Sequence, residues 1–194
     1  MDLKTAKLMG GIGAILTLLS FIPSIGWLLS IVGFVLVLLA VKTISDEVKE
    51  SKIFSDYLVA VVLSVVSVLV LFFGGIASIF GIMRMFMQGA WSMGLRSGAF
   101  SALGIILLLL VAWVISIIGS YFIKSSFDEI SKKTGEKNFK TAGLLLFLGA
   151  ILLIAFGTGA IVSLVGGIFE IIAFFSLPDE LVKPEETQTT EGGA

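Results

Sequence analysis

Neither cysteine nor histidine occurs in this 194-residue chain. Their absence removes disulfides, thiolate nucleophiles, the usual His/Cys zinc sites, haem ligation by histidine, and acid–base chemistry on an imidazole. Proline is nearly absent too, with three residues, so few points can force a long helix to stop. Charge is scarce: 14% of residues are Asp, Glu, Lys or Arg and 57% are hydrophobic, where a soluble domain carries about a quarter charged.

What fills the chain is a series of long apolar runs, which no water-soluble core of this size can hide. Residues 8–41 are almost wholly apolar. As one helix they would extend roughly 50 Å, well beyond a hydrocarbon core of ~30 Å. Phe21-Ile22-Pro23-Ser24-Ile25-Gly26-Trp27 interrupts the run with turn-forming residues and an aromatic suited to an interface. The reading is therefore two spans, about 5–21 and 25–43. A third follows at about 57–80, a fourth at 98–123, and Gly157-Thr158-Gly159 splits the last run into spans at 141–156 and 159–177. Lys4 and Lys7 precede the first run as in a signal peptide, but no small-x-small cleavage site follows, so an uncleaved first span is expected. One transmembrane domain over 1–178 is predicted. The acidic stretch 179–194, rich in Thr and Gly, reads as a disordered tail.

One juxtamembrane pattern is written twice. Lys42-Thr-Ile-Ser-Asp46-Glu47-Val48 ends one apolar run and Lys124-Ser-Ser-Phe-Asp128-Glu129-Ile130 ends another, each followed by a Phe (Phe54, Phe139) and a new apolar run. Aligning those phenylalanines superposes Gly74 on Gly159, Ser78 on Ser163 and Gly81 on Gly166. Both copies run in the same direction, so this is a parallel internal repeat. The acids and lysines suit a helix extension into solvent, with Asp128–Lys132 and Glu129–Lys133 spaced for i,i+4 pairing. With six spans, eleven of the basic residues fall on one side and only Arg84 and Arg96 on the other. The positive-inside rule then places both termini in the cytoplasm of a cell-membrane protein.

Residues 82–97 differ from the rest. Arg84, Gln88, Ser92 and Arg96 recur every four positions, while Met83, Met87 and Trp91 lie elsewhere around the wheel. The spacing predicts a separate amphipathic helix lying at the outer interface.

Several pieces together resemble a prokaryotic membrane family known as domain of unknown function 996. They are the start Leu3-Lys4-Thr5-Ala6-Lys7-Leu8-Met9-Gly10-Gly11-Ile12-Gly13, the Ile22-Pro23 break, and the Gly33…Ala40-Val41-Lys42 exit. Ile53-Phe54 and the closing Ala173-Phe174-Phe175-Ser176-Leu177-Pro178 complete them. These are packing and turn motifs. The resemblance implies a multi-pass membrane protein and brings no catalytic residue with it.

Glu170 is the leading candidate for chemistry, a carboxyl close to the middle of the sixth span. Ionisable groups at mid-membrane cost roughly 2.5–3.5 kcal/mol on insertion scales, and a protonated Glu costs less. Gly159, Ser163 and Gly167 form a small-residue stripe that Glu170 continues, and Ala112, Ser116 and Ser120 form a matching stripe on the fourth span. Two readings follow. Glu170 with Ser163 and Ser116 could line a proton or cation path, or the stripes are helix-packing surfaces and Glu170 a satisfied carboxyl. A lone Glu without His or a second buried acid supports no intramembrane enzyme. The expectation is an all-α, polytopic integral membrane helical bundle of about six transmembrane helices. It is read as non-enzymatic, with no cofactor, metal or nucleic acid, its partners being the lipid bilayer and further copies of itself.

Overall fold

The computed structural model describes residues 2–87, 95–154 and 157–180. Among them there are six α-helices and no strand: α1 Leu3–Leu18, α2 Gly26–Glu47, α3 Ser51–Met87, α4 Leu95–Thr134, α5 Lys137–Leu152 and α6 Thr158–Phe175. Five stretches are long and apolar enough to cross a membrane; they lie on α1, α2, α3, α4 and α6. At 16 residues α5 is shorter than the ~20 that a full crossing takes.

Local chemistry sets most of the boundaries. Asp2 caps α1 by accepting hydrogen bonds from the Thr5 backbone N–H at 3.0 Å and the Thr5 hydroxyl at 2.6 Å, as a good N-cap residue does. The hydroxyl bond, then the backbone bond, hold its carboxyl below the ordinary range. After α1 a short 3₁₀ turn over Leu19–Phe21 leads to Pro23 and to Ser24 in the left-handed region. Gly26 then opens α2 with the Ser20 carbonyl lying where a Cβ would be. The α2–α3 turn has Lys49 in the left-handed region too (φ 53°), and the α4–α5 and α5–α6 turns use left-handed glycines, Gly135 and Gly157 (φ 78° and 77°).

The helices form three antiparallel hairpins, α1–α2, α3–α4 and α5–α6. Each helix also packs on the next in the chain, and α6 returns against α1, closing a ring whose lightest contact is between α2 and α3. The core lies at the end where α2 turns into α3 and α4 into α5. There Phe127, Phe139 and Phe174 are fully buried, with ring centroids 5.0 to 6.5 Å apart in edge-to-face geometry. Tyr57 stacks on Phe127 at 6.3 Å, and Ile44, Ile53, Ile130 and Leu177 fill the remaining space. Elsewhere the exterior is apolar, with Ile31, Val62, Phe73 and Ile161 among many exposed side chains. A surface of that kind suits lipid and not water.

Two stretches differ from the sequence reading. Residues 82–87 continue α3 and 95–97 open α4, where a separate surface helix over 82–97 is expected; 88–94 lie outside the described residues. The physical reason is that nothing between Gly81 and Met87 breaks a helix, so α3 runs through a change in polarity. Asp179, read with the tail, is tied to Lys7 of α1 by an ion pair of 3.2 Å; residues 181–194 lie outside the described set.

Candidate functional site

The polar residues fall into three groups, each held by a different pair of helices. The first is a charged belt around the loop end. Lys42–Asp46 (3.4 Å) and Lys124–Asp128 (2.6 Å) are the same i,i+4 pair at the two copies of the Lys-x-x-x-Asp pattern. The expected Asp128–Lys132 and Glu129–Lys133 pairs are replaced: Lys132 turns back to Glu129 at 2.7 Å, and Lys133 reaches Glu50 at 3.0 Å. The second of these crosses from α4 to the α2–α3 turn, a partner that lies outside the reach of helical spacing.

Sequence reasoning missed the tightest cluster in this belt. Ser125 Oγ donates to Asp56 Oδ2 at 2.6 Å and accepts from Lys52 Nζ at 2.8 Å, while Lys52 also meets Asp56 at 2.7 Å. Beside it the fully buried Ser126 donates to the Ile53 carbonyl at 2.8 Å. A serine between a lysine and an aspartate has the composition of a nucleophile with its base. Here Lys52 is one half of an ion pair with Asp56, and the Ser125 hydroxyl is directed at the Asp56 carboxylate and not at the lysine. The cluster fastens the start of α3 to the loop end of α4. Asp128 Oδ1 is the one side-chain atom among the described residues that is buried without a hydrogen-bond partner.

The second group comprises the serines of α3 and α4. Ser67 and Ser116 both donate to the Ala112 carbonyl, at 3.3 and 2.9 Å, and their oxygens are 3.5 Å apart. Ser120 donates to Ile117 of its own helix at 2.9 Å. Ala112 and Ser116 of the stripe thus lie along α3, where small residues let two helices approach. A little farther along, the Trp113 indole N–H donates to the Ala150 carbonyl of α5 at 2.9 Å.

The third group is on α6. Gly159 and Ser163 lie against Gly149 of α5, so closely that a Cβ at Gly149 would overlap the Ser163 hydroxyl. Gly167 faces Leu18 of α1. Glu170, half-buried, comes one turn before Phe174, and its carboxyl is within electrostatic reach of the buried Tyr57 phenol. Phe174 belongs to the aromatic cluster, so Glu170 sits just above the loop-end core and not at the middle of the bundle. The structure therefore separates the three residues grouped as a path: Ser116 is between α3 and α4, Ser163 between α5 and α6, and Glu170 above the aromatic cluster. No group of three acids able to hold a metal ion occurs among the described residues.

Comparison with known proteins adds a family and no chemistry. A family model described as "Protein of unknown function (DUF996)" matches residues 29–168. An uncharacterised protein of Methanocaldococcus jannaschii is 41% identical over 181 residues, which cover 93% of this chain and 96% of that protein. No solved structure matches.

Proposed function

The chain belongs to the DUF996 family of proteins of unknown function, and on that premise we propose a multi-pass membrane protein with a non-enzymatic structural or interaction role. One observation carries this reading: the hydroxyls inside the apolar helices are already engaged with backbone carbonyls, Ser67 across the α3–α4 contact and Ser116 and Ser120 within α4. Ser163 lies under Gly149. Below Glu170 the buried rings of Phe127, Phe139 and Phe174 pack edge to face toward the loop end.

The charged end is the cytoplasmic end in this reading, because the lysine-bearing turns lie there. Asp179 meeting Lys7 brings the start of α1 and the end of α6 to that same side. The matching Lys42–Asp46 and Lys124–Asp128 pairs support a parallel internal repeat whose two elbows face the cytoplasm. The native chain has no cysteine, so a Lys137→Cys variant carries a single thiol. It is expected to react with a membrane-impermeant maleimide only after cells are opened; labelling of intact cells would invert the orientation.

A proton- or cation-coupled transporter is the competing reading, favoured by a half-buried carboxyl, Glu170, on an otherwise apolar helix. Glu170→Gln keeps the shape and removes the charge. On the proposed reading the variant in proteoliposomes carries the same proton and monovalent-cation flux as the native protein. Its stability is expected to change by no more than about 1 kcal/mol, the scale of one hydrogen bond. A native flux abolished by this change in a folded variant would overturn the structural reading.

A further inference from the structure

Two tyrosines aside, Glu170 is the one ionisable side chain in the apolar stretches of the six helices. α1 has none after Lys7, α2 none before Lys42 and α5 none after Lys140. Between Asp56 and Arg84 α3 has Tyr57 alone, and between Arg96 and Lys124 α4 has Tyr121 alone. Tyr121 is exposed, its ring against Phe122 and Phe147. Tyr57 is buried and is the phenol on which the Glu170 charge acts.

Glu170 is on the inner face of α6. Gly166 lies against Leu146 of α5, Gly167 against Leu18 of α1, and Ala173 and Phe174 are buried. Residue 170 falls between those directions around the helix. One turn on, Phe174 meets Phe127 at 6.5 Å, and Phe127 stacks with Tyr57 at 6.3 Å. Glu170 and Tyr57 therefore flank the same aromatic cluster, from helices on opposite sides of the ring. Neither the Glu170 carboxyl nor the Tyr57 hydroxyl makes a hydrogen bond to a described residue, although Tyr57 is only 6% exposed. Asp128 Oδ1 is the one unpartnered side-chain atom sealed from solvent, so the oxygens of Glu170 and Tyr57 border space that a water molecule can enter.

The two protonation states of such a carboxyl have different needs. A neutral acid is satisfied by one or two hydrogen bonds, which a water can supply. A carboxylate among apolar side chains needs a counter-charge or a shell of water. The nearest cations along each helix are at the loop end and already engaged: Lys7 with Asp179, Lys42 with Asp46, Lys52 with Asp56 and Lys124 with Asp128. Lys140 of α5 is exposed there. A metal ion is a poor substitute, since hard cations take roughly six or more oxygen ligands and two side chains offer far fewer. Ionised Glu170 therefore calls for water. The ring is least tightly joined between α2 and α3, the helix that carries Tyr57.

We propose that Glu170 is a proton-binding latch inside the ring: with the proton bound, α2 and α3 stay closed over it and Tyr57, and with the proton released the seam between them loosens so that water reaches the carboxylate. The latch rests on the membrane reading above. It needs no transport, because binding and release of the proton alone move the seam.

Two measurements on the full chain test it. The first is unfolding in detergent from about pH 5 to about pH 9, native against Glu170→Gln, which stays neutral throughout. The charged belt titrates alike in both, so the ratio of their unfolding constants isolates Glu170. A proton held in the folded state stabilises it at low pH and is lost as pH rises, changing the constant by up to about tenfold per pH unit. The native constant should therefore rise about tenfold relative to the variant across the range. The second measurement locates the movement. Val41 of α2 and Ala142 of α5 are both fully buried, and the chain has no cysteine of its own. N-ethylmaleimide labelling of Val41→Cys in membranes, taken as the Glu170 rate over the Glu170→Gln rate so that thiol ionisation cancels, should rise about tenfold over the same range. The same ratio for Ala142→Cys should stay near one. A flat stability ratio, a flat Val41→Cys ratio, or an equal rise at both thiols would each overturn the latch. A flat stability ratio together with a flux abolished in Glu170→Gln would overturn the structural reading as well.

Discussion

Replacing Phe174 by alanine is expected to destabilise the bundle by about 3–5 kcal/mol, the cost of emptying an aromatic site in a packed core. Few side chains here join so many elements. The ring is fully buried, meets Phe139 of α5 at 5.0 Å and Phe127 of α4 at 6.5 Å, and presses on Gly10 of α1 where a Cβ would stand. Truncation removes contacts to three other helices at once and leaves a hole that rigid neighbours on separate hairpins cannot collapse to fill. Each lost edge-to-face pair adds about 0.5–1.5 kcal/mol to the loss of burial. The measurement is thermal or SDS-induced unfolding of the purified protein in detergent. Leu164→Ala, on the exposed face of α6, is the reference and should change stability by no more than ~0.5 kcal/mol. Equal losses in the two variants would show that the loop-end cluster is not where the hairpins are joined.

That cluster also shows which parts of the architecture the sequence carries openly. Helix breaks at Pro23 and Gly157 were readable because the cause is local: a fixed φ, or a left-handed turn that glycine enters freely. Ser24 and Lys49 take up left-handed geometry without being glycine, and no residue preference announces them. The ends of α3 and α4 were not readable, since an apolar helix that meets no breaker simply continues through Gly81 to Met87. Facing was the larger gap. A span that is apolar all round has no preferred side on a helical wheel. Spacing could therefore line up Gly159, Ser163 and Glu170 on one stripe without saying what lay opposite. In the fold Gly149 covers the first two, while Glu170 sits above the aromatic core. The height of Glu170 followed from the position of that core, which depends on where four helices meet. Pairs such as Ser125–Asp56 and Lys133–Glu50 are likewise tertiary facts, separated by 69 residues in the first case.

The second large effect is expected at Gly149, where leucine should cost about 3 kcal/mol, the upper end of what overpacking a tight contact does. Between α5 and α6 the backbones nearly touch. A Cβ on Gly149 would lie 2.9 Å from the Gly159 carbonyl oxygen and would overlap the Ser163 hydroxyl. Those are backbone atoms and a short side chain on a helix, so they yield only if α6 moves as a body. Moving α6 pulls Phe174 away from Phe127 and Phe139, which couples this crossing to the aromatic cluster at the other end of the hairpin. Within lipid, close backbone packing is itself a main source of helix association, because burial from water contributes little there. Gly75→Ala is the matched comparison, since a Cβ at Gly75 would meet nothing within 4 Å. That change should be neutral or stabilise by up to ~1 kcal/mol through helix propensity. Unfolding midpoints of both variants in the same detergent decide the matter. Leucine tolerated at Gly149 would mean that α5 and α6 do not cross there and that Ser163 is free to face something other than a helix. A large loss at Gly149 beside none at Gly75 fixes Ser163 as part of a helix contact.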